Sequence, residues 1–112
     1  MTHKQIIAKA IEIACMLFGL KQEDVVGQSR LRNISNCRAC IYYAVRLSYT
    51  GIRFWEIAEF IPRDHGTMIN GINLILGMQK ANPKYLNAKD VMLIANAQAT
   101  TELLRKFIET NP

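Results

Sequence analysis

The sequence predicts an all-α fold, a small helical bundle that contains a helix-turn-helix and carries an additional C-terminal helix. Three observations predict it. Apolar residues recur at spacings of three and four in every long segment, and cap-forming residues (Thr2, Asp64, Asn87) and breakers (Gly19, Gly51, Pro62) stand at the segment ends. A short apolar segment, a tight turn and a longer amphipathic segment then follow one another between residues 54 and 80, the order that defines a helix-turn-helix.

The elements follow in turn. Thr2 caps a helix whose apolar positions are Ile6, Ile7, Ala10, Ile13, Ala14, Leu17 and Phe18, and Gly19 stops it. Residues 21–33 mix polar side chains with Val25, Val26 and Leu31, which predicts a short turn around Glu23 to Val26 and then an exposed basic loop bearing Arg30 and Arg32. Ile34 to Tyr49 reads as a second long helix, with Ile41, Ala44, Val45 and Leu47 or Ser48 inside and Arg38 and Arg46 outside. Phe54, Ile57, Ala58 and Ile61 predict a helix of about two turns that ends at Pro62, because proline cannot continue the hydrogen-bond ladder.

Asp64 then caps a helix with Met68, Ile69, Ile72, Ile75 and Leu76 on one arc and Gly66, Thr67, Asn70 and Asn73 on the opposite one. Asn82-Pro83 breaks the chain again. Asn87 with Asp90 three residues on has the form of a capping box for a last helix over residues 87–110. With no internal repeat and no long linker, residues 1–112 are read as a single domain.

Composition narrows the function. The chain has 112 residues, 50% of them apolar and 21% charged, which suits a folded domain and excludes a disordered tail. No stretch is long and apolar enough to span a membrane, and the N-terminus lacks the pattern of a secretory signal, so the expected location is cytoplasmic. The formal charge of +5 favours an anionic partner. From Val25 to Trp55 there is no acidic residue, while Arg30, Arg32, Arg38, Arg46 and Arg53 all fall there. Charge alone would permit nucleic acid, an acidic membrane surface or simple solubility.

Cys37-Arg38-Ala39-Cys40 has the C-x-x-C spacing, but four zinc ligands are not assembled from one further cysteine and two histidines. Cys15, Cys37 and Cys40 are therefore read as reduced core residues, with no metal and no cofactor. Two histidines, one at the N-terminal end, build no nucleophile and base pair, so no enzyme is expected.

Read in order, Leu17-Phe18-Gly19-Leu20, Glu23-Asp24-Val25-Val26-Gly27, Ser29-Arg30-Leu31-Arg32-Asn33-Ile34, Thr50-Gly51-Ile52, Glu56-Ile57 and Arg63-Asp64-His65-Gly66-Thr67 resemble the C-terminal DNA-binding domain of the bacterial replication initiator DnaA. The resemblance covers about residues 5–80. It implies a helical domain that recognises double-stranded DNA by a helix-turn-helix in the major groove and an arginine loop in the adjacent minor groove, in replication initiation or its regulation. Arg30 matches the minor-groove arginine, with Arg32 beside it. Arg38 matches an arginine that contacts phosphate, Arg46 falls near a basic phosphate contact, and Arg53 lies at a helix start that meets the backbone.

Arg63, Asp64, His65, Gly66 and Thr67 then form the reading head, with Asn70 one turn further along. Gly66 stands where the family has the first threonine of an Asp-His-Thr-Thr signature, and Asn70 and Asn73 stand where the family is more basic. Physical chemistry agrees with these roles: guanidinium suits a narrow electronegative groove and phosphate, and Asp64 acts as the helix cap. No nucleotide-binding G-x-x-x-x-G-K-[ST] loop is present, so the resemblance implies a free-standing copy of the DNA-binding part that takes no nucleotide. The alternative is a protein-interaction module that keeps the fold but binds DNA weakly and without preference, holding a protein partner through the last helix or the Phe54-Trp55 region. The last helix is read first as a packing helix, and otherwise as the surface for a protein partner or a homodimer.

Overall fold

The computed structural model describes residues 1–112, and helices account for 76% of them, with no strand. The elements are α1 (His3–Phe18), α2 (Gln22–Val26), α3 (Arg32–Ser48), α4 (Phe54–Ala58), α5 (His65–Lys80), a 3-10 turn (Pro83–Tyr85) and α6 (Ala88–Thr110).

Local chemistry explains most of the boundaries. Thr2 accepts a hydrogen bond from the Gln5 backbone at 3.1 Å and donates its own backbone N–H to the Gln5 side chain at 2.9 Å, so two of the unpaired N–H groups at the start of α1 are satisfied. Gly19 ends α1 with φ +66, a left-handed conformation that costs glycine nothing. Asn87 and Asp90 form the equivalent reciprocal pair at the start of α6.

The turn expected around Glu23 to Val26 is the short helix α2, and two boundaries also differ from the sequence reading. α3 begins at Arg32, so Arg32 and Asn33 belong to its first turn instead of to a loop. α4 ends at Ala58, four residues before Pro62, and Phe60 and Ile61 instead close turns onto the Ile57 carbonyl, both at 2.9 Å. Proline sets the latest residue at which a helix can stop, and the helix here stops sooner.

α3 lies at the centre, with α1, α5 and α6 packed against it and α6 also packed on α1. Lys9 near the start of α1 sits 5.1 Å over the ring of Phe107 near the end of α6. Phe18 at the end of α1 shares a groove with Met92 and Leu93 near the start of α6, so the two helices run antiparallel. The 26 buried apolar residues form one cluster, to which α6 contributes Leu93, Ala97 and Leu104. Each fully buried aliphatic side chain contributes about 1.5–3 kcal/mol, so α6 stabilises the bundle chiefly by closing it. Thr100 and Thr101 are buried with their hydroxyls bonded to the carbonyls one turn back, at 2.7 and 2.8 Å.

All three cysteines are buried. Burial pushes the Cys40 thiol up to about 12, and the Cys37 thiol is raised by its neighbour Cys15 and by burial. No helix is long and apolar enough to cross a membrane.

Candidate nucleic-acid interface

α4, residues 59–64 and α5 make the short helix, turn and long helix of a helix-turn-helix. Met68, Ile72 and Ile75 fix α5 to the core, while Ile69, placed inside by the periodicity, lies at the edge with 37% of its surface exposed. Gly66, Thr67 and Asn70 face solvent. Asp64 caps α5 by accepting the Thr67 backbone N–H at 2.7 Å. That bond, with the Thr67 hydroxyl and then His65 adding to it, holds the carboxyl below the ordinary aspartate range, and Asp64 stays an anion engaged with its own helix.

Beside the start of α5 lies an open recess lined by Arg46, Arg53, Phe54, Trp55, Arg63 and His65 among others, with no carboxylate in its wall. Phe54 organises it. The Arg46 guanidinium stands 4.3 Å from the Phe54 ring centre, and the His65 ring meets the same ring at 4.6 Å. A guanidinium on an aromatic face gives up little of its charge while losing rotamer freedom, so Arg46 is held ready for an anion. Arg53 and Trp55 remain exposed at the rim.

α4 is braced from the opposite side. Glu56 accepts the Arg53 backbone N–H at 2.7 Å, and His3 Nδ1 lies 2.6 Å from its other oxygen. These two contacts, the backbone bond first, lower the Glu56 carboxyl from its ordinary value.

Arg38 departs from its expected place. It is 4% exposed and lies inside the bundle under the connection between α2 and α3. Its Nε donates to the Val25 carbonyl at 2.7 Å, one terminal nitrogen to Ser29 at 2.6 Å, and the other to Gly27 at 2.9 Å and Asp24 at 3.4 Å. One forked side chain thereby satisfies four carbonyls, two at the end of α2 and two in the connection after it, and the buried guanidinium is turned onto the backbone of its own chain. Burial, then the nearby charge of Arg63, pushes the Arg38 pKa down.

The clamp fixes the backbone just before Arg30, which is exposed. Glycine suits position 27 within it, because a Cβ there would stand 3.0 Å from the Glu23 carbonyl, tighter than an ordinary contact. Arg63 then donates to the Gly27 carbonyl at 2.8 Å and to that of Pro62 at 2.8 Å, tying the helix-turn-helix to the same segment.

The structure therefore brings Arg46, Arg53, Arg63 and His65 to one recess and places Gly66, Thr67 and Asn70 on the adjoining face of α5. Arg32 is elsewhere, in the groove with Phe18, Lys89 and Met92. Three contributors were not among the expected site residues: Phe54, Trp55 and Asn73. With Ile57 buried, Trp55 lies about 200° away around α4, and this geometry alone places it outside. Asn73 shares the exposed arc of α5 with Asn70.

No curated protein and no solved structure matches the chain. Residues 7–75 match the family described as the bacterial dnaA protein helix-turn-helix. That span reaches from α1 to Ile75 in α5, and so includes the clamp, the recess and the cap. The family is a DNA-binding one acting in replication initiation, and its domain is not catalytic. With more than half of its residues in that match, this chain belongs to the bacterial dnaA protein helix-turn-helix family.

Proposed function

We propose that this protein binds double-stranded DNA with a sequence preference, placing the start of α5 in the major groove and Arg30 in the adjacent minor groove, in replication initiation or its regulation. The observation that carries this is the union of two surfaces. An exposed, carboxylate-free face of α5 adjoins a recess holding three arginines and His65, and the clamp beneath Arg30 is tied to α5 through Arg63. A fixed distance between two reading elements is what simultaneous contact with neighbouring grooves needs.

In this reading Arg46, Arg53 and Arg63 meet phosphates and fix the register. His65, Thr67 and Asn70 meet base edges, Asp64 orients the helix start, and Gly66 leaves an open position. Arg32 adds positive potential at a distance from the recess, and Arg38 acts only through the loop it holds.

Fluorescence anisotropy against random and selected duplexes tests the proposal. Binding weakens steeply with salt, with a slope of about −0.9 for each phosphate neutralised. Arg30→Ala reduces affinity most for sites with a narrow A·T-rich minor groove. No binding at low salt overturns the reading.

A second reading has one observation behind it. Trp55 is 61% exposed at the recess and Met92 is 61% exposed at the start of α6, surfaces that a protein partner could cover. In that case the domain keeps its fold, binds DNA weakly and without preference, and returns a flat result in a random-duplex selection while co-purifying with a stoichiometric protein. Val91 and Leu103 of α6 are exposed as well, while Leu93, Ala97 and Leu104 pack in the core against α1 and α3, which supports a packing role for that helix.

A further inference from the structure

The exposed side of α5 carries Gly66, Asn70, Asn73 and Gly77 at steps of four, three and four residues. At 100° per residue these four positions fall within a stripe about 60° wide, opposite the buried Met68, Ile72 and Ile75. Asn70 and Asn73 are both exposed. The side-chain hydrogen bonds of α5 within the chain are those of its Asp64 cap and of Gln79 with Tyr43, so both asparagine amides are left free.

Nothing in the fold calls for these residues. Asparagine is among the poorer helix formers because its side chain competes with the backbone, and glycine is poorer still. A Cβ at Gly77 would meet nothing within 4 Å, and one at Gly66 would meet only the Asp64 carboxylate at 3.6 Å. Solubility would be served by lysine and glutamate, yet no acidic residue occurs from His65 to Lys89. The stripe thus gives up helix stability for two short, idle amides flanked by bare backbone.

An amide presents one acceptor and one donor in a plane. In the major groove adenine presents the complementary donor and acceptor, N6–H and N7, whereas guanine presents two acceptors. Asparagine is short, so it reaches a base only where the helix backbone comes close to the groove floor. Gly66 and Gly77 remove the side chains that would hold the helix away on either side. Recognition-helix residues three apart reach successive base pairs.

We propose that Asn70 and Asn73 are a tandem adenine-reading pair, which makes two neighbouring A·T pairs beneath the middle of α5 an essential part of the target site. The inference rests on the proposed placement of α5 in the major groove. Each amide donates to adenine N7 and accepts from N6–H, and Thr67 contributes its methyl to the neighbouring step.

Selection from a random duplex pool with the full chain identifies the site, and Asn70→Ala and Asn73→Ala are then compared on it. Both variants keep the fold, since alanine is the better helix former, and a thermal melt checks this. Each variant loses preference at one of the two adjacent A·T positions, with discrimination falling about 5-fold to 100-fold, and the other position stays intact.

Replacing one adenine by 7-deazaadenine, which removes the N7 acceptor and preserves pairing, weakens the wild type by about tenfold and leaves the matching variant unchanged. If the selected site has G·C at these positions, or the variants retain the wild-type preference, the pairing of asparagine with adenine is overturned while DNA reading stands. If no duplex binds at low salt, the proposed function falls first and this inference with it.

Discussion

Arg38 and Arg63 converge on one acceptor: the carbonyl oxygen of Gly27 receives a hydrogen bond from Arg38 at 2.9 Å and another from Arg63 at 2.8 Å. One arginine comes from the middle of α3 and the other from the turn before α5, so this oxygen joins the core, the loop and the helix-turn-helix. Two guanidinium groups repel each other, and the site holds them because each has carbonyl partners elsewhere, three for Arg38 and one for Arg63.

The first prediction separates support from contact. Arg38→Lys removes the fork and leaves buried carbonyls unpaired, which destabilises the domain by about 2–4 kcal/mol in urea denaturation. Under conditions where it remains folded, its salt slope for DNA equals that of the wild type. Arg53→Ala behaves oppositely, with unchanged stability and a slope reduced by about 0.9. A normal urea midpoint for Arg38→Lys contradicts the clamp.

The second prediction concerns the stack of Arg46, Phe54 and His65. Phe54→Leu keeps much of the apolar volume and removes the aromatic face, releasing both neighbours. A double-mutant cycle with Arg46→Ala gives a coupling in DNA affinity of about 0.5–1 kcal/mol, the range of an exposed cation–π contact. Zero coupling means that Arg46 does not use the ring when it binds.

What could be read from the sequence was what depends on neighbours along the chain. Thr2, Asp64 and Asn87 each bond to a residue three positions on, and Gly19 ends its own helix, so their roles follow from local order. Arg38 was misread because periodicity treats arginine as an outward residue. Its acceptors lie 9 to 14 residues earlier in the chain, in a segment whose irregular path no local rule supplies. Ile69 was misplaced for a related reason, since the arc of a wheel does not tell where a neighbouring helix ends, and of the alternatives Leu47 or Ser48 it is Ser48 whose side chain turns inward. At the candidate interface, Arg46, Arg53, Arg63 and His65, which the fold gathers in one recess, could be named by type and order, whereas Arg32 and Arg38 lie outside it. The role of Phe54 needs the approach of α3 to α5 and became visible only in three dimensions.

The third prediction uses two glycines of α5 with opposite surroundings. A Cβ on Gly77 meets nothing within 4 Å, so Gly77→Ala gains helix propensity and stabilises the domain by about 0.5–1 kcal/mol. A Cβ on Gly71 stands 3.3 Å from both the Ala39 Cβ and the Tyr42 ring, where α5 rests on α3. Gly71→Val therefore forces the helices apart and destabilises by about 1–3 kcal/mol. Thermal melts of the two variants should move in opposite directions, and a shared direction would contradict the packing of α3 and α5.

The last prediction follows from the cap of α5. The Thr67 backbone N–H lowers the Asp64 carboxyl, so the folded chain prefers the anion more strongly than the unfolded chain does. The stability this adds is fully present above the ordinary aspartate range of about pH 4, and is lost as the pH falls through the lowered folded value. Asp64→Asn keeps a side-chain oxygen for the same N–H and does not titrate. It should therefore change the melting temperature little at neutral pH and flatten its decline below about pH 4. Glu56, lowered first by the Arg53 backbone bond and then by His3, keeps part of that decline in the variant. An Asp64→Asn protein whose acid decline matches that of the wild type would show that the carboxylate is not what holds the start of α5.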